Sequence, residues 1–262
     1  MDILKKVLEL DFAYLATFTN RIDTEWGCFF YNEDQPNYYD ANHAHVDSTI
    51  DEPKKVIDEV VSFYQKRKLT PRFYLYDLDS HQNLLSELAA YGFGIEESID
   101  PVQVWNKQIV EVKKDSRITI EQVSETHFNE ALEIECNIKE LGGRVVREKA
   151  FAHEFHQPAY THYLLRYEGT PCATACIFTH ENQARMESVA TLEEFRGRGL
   201  IGHLILHIQR VVAEREMENL WVFPISERVE KVYQKNGFDT IATIKTAHAF
   251  LGGRSIHEIR EG

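Results

Sequence analysis

Residues 187–210, ESVATLEEFRGRGLIGHLILHIQR, constrain the fold more than any other stretch of the chain. An extended apolar run ends near Leu192. Arg196, Gly197, Arg198 and Gly199 follow, and then Leu204, Ile205, Ile208 and Val212 recur at helical spacing. The pattern predicts a strand that turns tightly into an amphipathic helix. The first N–H groups of a helix have no partner inside it and point outward. Glycines carry no Cβ, so an anion can come close to those groups. The helix dipole favours negative charge there, and the two arginines supply charge-assisted hydrogen bonds. The segment therefore predicts a loop for a pyrophosphate-bearing cofactor. The plainer alternative is a tight turn with two surface arginines.

The other elements follow from periodicity. A helix is expected over 3–18, with strand and loop through 24–50. Asp51 reads as the N-cap of a helix that has Pro53 in its first turn and ends near Arg67. A strand is expected at Phe73–Tyr76. Asp79 or Ser80 reads as the cap of a helix over 81–91, and a strand is expected over Val102–Val112. Further strands are expected at 118–120, 163–166, 173–178, 184–192, 220–223 and 238–250. Helices flank Gly142–Gly143, follow Gly199 and span 226–235. The segment 72–93, RFYLYDLDSHQNLLSELAAYGF, echoes 219–238, NLWVFPISERVEKVYQKNGF. Each is a strand, a capped helix and a Gly-Phe exit, which suggests duplication. The chain has 262 residues, enough for two cores. The charged run VKKDSR at 112–117 is the expected boundary, giving domains 1–114 and 115–262. The first half contains nothing like RGRG.

A net charge of -13 works against non-specific binding to nucleic acid. No run is long and apolar enough for a membrane span, and the start MDILKKVLELDF lacks the apolar core of a signal peptide. Four sparse cysteines, Cys28, Cys136, Cys172 and Cys176, suit free thiols in a reducing cytoplasm. Gly197, Gly199 and Gly202 also satisfy GxGxxG. A dinucleotide site wants an acid at the end of the next strand, however, and LWVF ends in Pro224 and Ile225.

The glycine–arginine loop resembles that of the GNAT superfamily of acyl-coenzyme A-dependent N-acyltransferases, whose pattern is Arg/Gln-x-x-Gly-x-Gly/Ala. Arg196, Gly197, Arg198, Gly199 and Leu200 fit it, Ile201 stands where Gly or Ala is usual, and Gly202 follows. The strand VATLEEF is similar to the family's fourth strand. SERVEKVYQKNGF at 226–238 resembles a second family signature: Tyr233, Lys235, Gly237 and Phe238 match, while Ser226 replaces the usual Asn. The resemblance covers roughly 117–250. It implies an α/β (α+β) fold with a mixed, mostly antiparallel sheet flanked by helices. The N-terminal half resembles a degenerate second copy, giving a tandem of two related units.

The resemblance implies acetyl-CoA as cofactor and a primary amine, small molecule or protein, as acceptor. Arg196–Gly202 would hold the pyrophosphate, and the backbone of Val189, Ala190 and Thr191 would pair with the pantetheine amides beside a bulge. Ser226 joins the cofactor set by its place in the second signature. Tyr233 takes the place of the acid that protonates the departing thiolate, and Glu187 that of a proton acceptor for the amine. Each has a structural alternative: a core aromatic for Tyr233 and a solvent-facing carboxylate for Glu187. No metal site is expected. His203 and His207 supply two ligands at most, and His43, His45, Asp40 and Asp47 form only a loose cluster. An acyl-CoA-binding sensor without turnover and a dinucleotide-binding oxidoreductase stand as rivals. The acceptor is left open, and so is the oligomeric state, a dimer being one option.

Overall fold

The computed structural model describes residues 3–261. In chain order it contains α1 (Ile3–Leu15), β1 (Asn20–Asp23), β2 (Gly27–Tyr31), β3 (His43–Val46), α2 (Pro53–Lys66), β4 (Arg72–Tyr76), α3 (Gln82–Tyr91) and β5 (Gly94–Trp105). Then come β6 (Ile118–Gln122), α4 (Phe128–Cys136), α5 (Gly143–Phe155), β7 (Tyr160–Tyr167), β8 (Thr170–His180), β9 (Gln183–Thr191) and α6 (Leu200–Glu214). β10 (Asn219–Val222), α7 (Glu227–Gln234), β11 (Phe238–Phe250) and α8 (Ile256–Glu261) complete the chain. It divides into two compact units, Met1–Asp100 with Ile244–Gly262, and Pro101–Thr243. β5 and β11 are each divided between them.

In the first unit the strand order is β1-β2-β3-β4-β11-β5. β3 and β4 are parallel, while β1–β2, β2–β3 and β4–β11 are antiparallel. Side chains alternate across a strand, so Ala44, Val46, Phe73 and Leu75 share one face with α2 and α3 and form an apolar core. His43, His45, Tyr74 and Tyr76 occupy the other face, where the Phe12 ring of α1 meets His45 edge-on at 4.7 Å. Both histidines are buried, and burial pushes His45 down to about 4, so it packs as a neutral ring. Two expected caps are displaced. Glu52, not Asp51, precedes α2, with Pro53 at its first turn. His81, not Asp79 or Ser80, precedes α3, because Leu78–Ser80 form a short 3₁₀ turn of their own.

In the second unit the order is β11-β5-β10-β9-β8-β7-β6. There β9 and β10 are parallel, and β6–β7, β7–β8, β8–β9 and β5–β10 are antiparallel. Tyr163, Leu165, Ala173, Ala175 and Ile177 pack with Leu200, Leu204, Ile205, Ile208 and Val212 of α6 and with Tyr233 of α7. Each large apolar side chain buried this way contributes about 1.5–3 kcal/mol. Leu164 and Ala190 face the other way, onto Ala131, Ile134 and Phe151 of α4 and α5. The sheet thus carries α6 and α7 on one face and α4 and α5 on the other.

The expected strand over 102–112 is instead β5, which starts at Gly94 and ends at Trp105. Residues 106–115 then run as an extended segment packed on the second unit. Asn106 N–H donates to Gly237 O at 3.0 Å, Trp105 Nε1 donates to Gln108 O at 2.9 Å, and Arg210 pairs with Glu111 at 3.1 Å. The charged run at 112–117 thus has the composition of a linker but lies within a packed unit, and the compact units part at 100/101 and 243/244. The echo between 72–93 and 219–238 corresponds to two similar strand–helix–strand units, β4-α3-β5 and β10-α7-β11.

Candidate active site

The site forms where β9 outlasts its parallel neighbour. β10 is in register with β9 only from Asn219 opposite Gln183 to Trp221 opposite Arg185, and Val222 already pairs with Gln103 of β5. On its other side β9 stays paired with β8, but Cys176 faces Glu187 while Thr174 faces Ala190. β9 therefore carries one extra residue there. Ser188, at φ +49°, is the bulged position. A bulge bends and twists its strand, which leads the end of β9 away from β10. The backbone of Val189–Thr191 lies beyond the last β9–β10 partner.

β9 leads directly into the glycine–arginine loop. After a 3₁₀ turn at Glu193–Phe195, Gly197 and Gly199 take φ of +79° and +76°, and α6 starts at Leu200. That left-handed backbone is why glycine stands at both places. A Cβ at either would meet no atom within 4 Å, so the loop opens outward. Arg196 Nε donates to Thr191 O at 3.0 Å. Arg198 donates to Glu194 O at 3.1 Å and lies over the rings of Tyr167 and Phe195. Leu200 is buried, and Ile201 packs half-buried against the α6 core. Gly202 faces inward, where a Cβ would lie 3.3 Å from Asn236 Oδ1 and 3.4 Å from Val112. The close packing of the first turn falls to Gly202, and Ile201 is accommodated beside it.

Glu187 and Tyr233 come within electrostatic reach of each other. Tyr233 is 6% exposed and packs edge-on against Phe238. Burial, and then the Glu187 carboxylate, push its phenol well above the usual value, so it stays protonated at neutral pH. Glu187 is half-buried and ion-paired with Arg185, whose guanidinium lies 4.7 Å over the Phe223 ring. Ser226 caps α7, its hydroxyl accepting from Val229 N–H at 3.3 Å. Neither histidine of α6 stands in the site. His207 meets the Tyr163 ring at 5.0 Å, and burial lowers both His203 and His207 below the usual range. Among the described residues no three His, Cys, Asp or Glu side chains gather as a metal site. Cys172 and Cys176 are buried free thiols.

Sequence reasoning missed Arg185, whose signal was its place two residues before Glu187 on one strand face. It also missed the buried set Glu135, Arg147 and Glu154, where Arg147 and Glu154 stand seven apart on one helix face. Glu135 had only the hint of a carboxylate between Ile134 and Cys136.

Comparison with known proteins bears on the fold. Residues 128–238 match the model of the Acetyltransferase (GNAT) family. A GCN5-related N-acetyltransferase from Kribbella flavida superposes with a TM-score of 0.74 at 16% identity, over 98% of this chain and 99% of that one. The chain has the fold of the GNAT acetyltransferase superfamily. A functionally unknown conserved protein from Staphylococcus epidermidis matches this chain with a TM-score of 0.72 at 13% identity, over 91% and 96% of the two chains. A GCN5-related N-acetyltransferase-like protein from Streptococcus suis does so with a TM-score of 0.58 at 11% identity, over 94% and 98%. No curated protein sequence matches the chain. Among the described residues no helix is long and apolar enough to cross a membrane.

Proposed function

We propose that residues 101–243 bind acetyl-CoA and transfer its acetyl group to a primary amine by direct attack in a ternary complex. The fold and the family match support an acetyl-CoA-dependent transferase in general. The observation that carries the finer reading is the continuous path from the bulge at Ser188, along Val189–Thr191, into the outward-opening Gly197–Gly199 loop. These residues fit the cofactor: a strand beyond its parallel partner for an amide arm, and a helix start for a pyrophosphate. Arg196 and Arg198 stand beside that loop as charged donors. Bound there, acetyl-CoA supplies an acyl group activated as a thioester. The attacking amine must be neutral. Glu187 takes up a proton from its nitrogen, and Arg185 holds that carboxylate in place. Tyr233 keeps its hydroxyl proton at neutral pH and donates it toward the leaving sulfur. Backbone N–H groups of β9 oppose the charge that develops on the carbonyl oxygen. The first unit would be a degenerate copy without a cofactor loop. Four free, buried thiols suit a cytoplasmic setting.

Calorimetry with acetyl-CoA, followed by amine-dependent release of CoA thiol across a panel of amines, tests the reading. Tight binding with turnover of at least one amine is expected, and absence of binding would sink it. A second reading, an acyl-CoA-binding sensor, is favoured by the deep burial of Tyr233 and the pairing of Glu187 with Arg185. It predicts binding without thiol release.

A further inference from the structure

Glu135 of α4 and Arg147 and Glu154 of α5 form a buried charge cluster with an uneven count. They are 0%, 3% and 3% exposed. Arg147 Nη2 donates to Glu135 Oε2 at 2.5 Å and to Glu154 Oε2 at 2.9 Å, and Nη1 donates to Glu154 Oε1 at 3.2 Å. Two carboxylates thus share one guanidinium. Glu135 Oε1 is buried without a hydrogen-bond partner.

Among the described residues, Arg147 is the positive charge that acts on Glu135, and the polar groups facing the cluster from the sheet are neutral or acidic. From β7 comes His162, 4% exposed, with Nδ1 unpartnered and Nε2 3.7 Å from Cys176 Sγ. Burial pushes that imidazole down to about 4, so it is neutral. From β8 come Thr174 and Cys176, whose thiol burial pushes well up. From β9 comes Glu187, opposite Cys176 in register, with its partner Arg185. Cys176 stands opposite Glu187 in register and lies within electrostatic reach of Glu154 and Glu135 as well. With both cluster carboxylates ionised, one negative charge stays uncompensated in the interior, which is costly. A proton on one of them removes it. Burial, opposed by Arg147 and reinforced by Glu154, holds the Glu135 carboxyl above its usual range.

We propose that Glu135, Arg147 and Glu154 form a buried one-proton site behind Glu187 that sets how firmly Glu187 holds a proton. The role of Glu187 rests on the acyltransferase reading; the one-proton site does not. When the cluster has lost its proton, its negative charge strengthens the hold of Glu187 on a proton. When the cluster is protonated, that hold relaxes. Glu135 acts through Glu187 and is a positioning residue.

The signature is in stability. A carboxyl raised in the folded state stabilises the fold at acidic pH, and that stabilisation is lost as pH rises from about 4.3, its unfolded value, through the folded one. Glu135→Gln keeps the shape of the protonated cluster and never acquires the charge. Thermal unfolding of the full chain from pH 5 to 8 should show the wild type losing stability with pH, while the variant changes less and matches or exceeds it at pH 8. An ordinary salt bridge predicts the opposite, a variant weaker than wild type and increasingly so at high pH, and that result would overturn the proposal. Carbon-13 titration of the side-chain carboxyls, with the cluster signal assigned through Glu135→Gln, should place the cluster midpoint lower in Glu187→Gln than in wild type, because the coupling between the two sites is reciprocal. An unmoved midpoint also overturns it. Should Glu135→Gln fail to fold, Glu154→Gln removes the other carboxylate and is read the same way. Failure of both isosteric variants to fold counts against a protonated cluster. Acetyl-CoA calorimetry judges the acyltransferase reading separately and leaves these titrations standing.

Discussion

The two units contain the same crossover, strand to helix to parallel strand, and differ in what joins strand to helix. In the first unit β3 is only four residues long, and Ala44, His45 and Val46 all find partners on β4. The joint Asp47–Glu52 contains no glycine and three acids, Asp47, Asp51 and Glu52. Its negative charge repels phosphate at the start of α2. In the second unit β9 runs past β10, bulges at Ser188 and enters two left-handed glycines flanked by arginines. The shared frame provides a helix start in each unit, but only one joint leaves it open to an anion. On the proposed reading, competence for the cofactor would be a property of about a dozen residues in the joint and not of the fold.

The sharpest way to break this contrast is Gly199→Glu. A side chain and a negative charge would enter the loop, and acetyl-CoA binding should weaken at least about 100-fold, or about 2.8 kcal/mol. Circular dichroism should show the fold intact, since a Cβ there meets open space and the left-handed backbone adds a cost of only about 1–2 kcal/mol. Wild-type affinity by calorimetry would place the pyrophosphate elsewhere. The next largest effect compares the two Gly-Phe exits. Gly92 and Gly237 both have positive φ, but a Cβ at Gly92 meets nothing within 4 Å, whereas at Gly237 it would lie 2.7 Å from Gln108 O. Gly92→Ala should cost about 1 kcal/mol, and Gly237→Ala about 2–3 kcal/mol, in urea unfolding. Equal costs would mean that the 106–115 segment yields easily.

Tyr233→Phe probes the chemistry that only the second unit is proposed to carry. Turnover should fall about 10-fold or more, with acetyl-CoA affinity nearly unchanged. Equal losses of both would make the hydroxyl a cofactor contact. The smallest effect is expected from Asp51→Asn with Glu52→Gln, which relieves the acidic joint of the first unit. Acetyl-CoA should still saturate at one equivalent per chain, with affinity within about twofold of wild type, about 0.4 kcal/mol. A second equivalent in that variant would show that charge alone silenced the first unit.

Much of the second unit was legible in the sequence because its signals are local. The α6 stripe, the RGRG turn and the Asn236–Gly237 helix end each declare themselves within one or two turns of chain. The division into units was not legible, because the charged 106–117 segment has the composition of a linker while Val112 and Glu111 pack against α6. The caps of α2 and α3 were displaced by a residue or two, since several polar residues compete at each start and no local rule chooses among them. Glu135 and Arg185 escaped notice for a different reason. Their roles depend on which side chains from other elements arrive beside them, and that is fixed by packing.

The order of the units along the chain also has a consequence for synthesis. The second unit, Pro101–Thr243, is inserted between the two parts of the first. β4 is made early, but Thr246–Phe250, which pair with it, emerge only after all of residues 101–243. At ribosomal rates of about 5–20 residues per second, the nascent first unit waits about 7–30 s for its missing strand. During that interval Arg72–Tyr76 present an open edge to whatever other chains are near, so the interval in which this protein is exposed to mispairing is set by the length of its inserted unit.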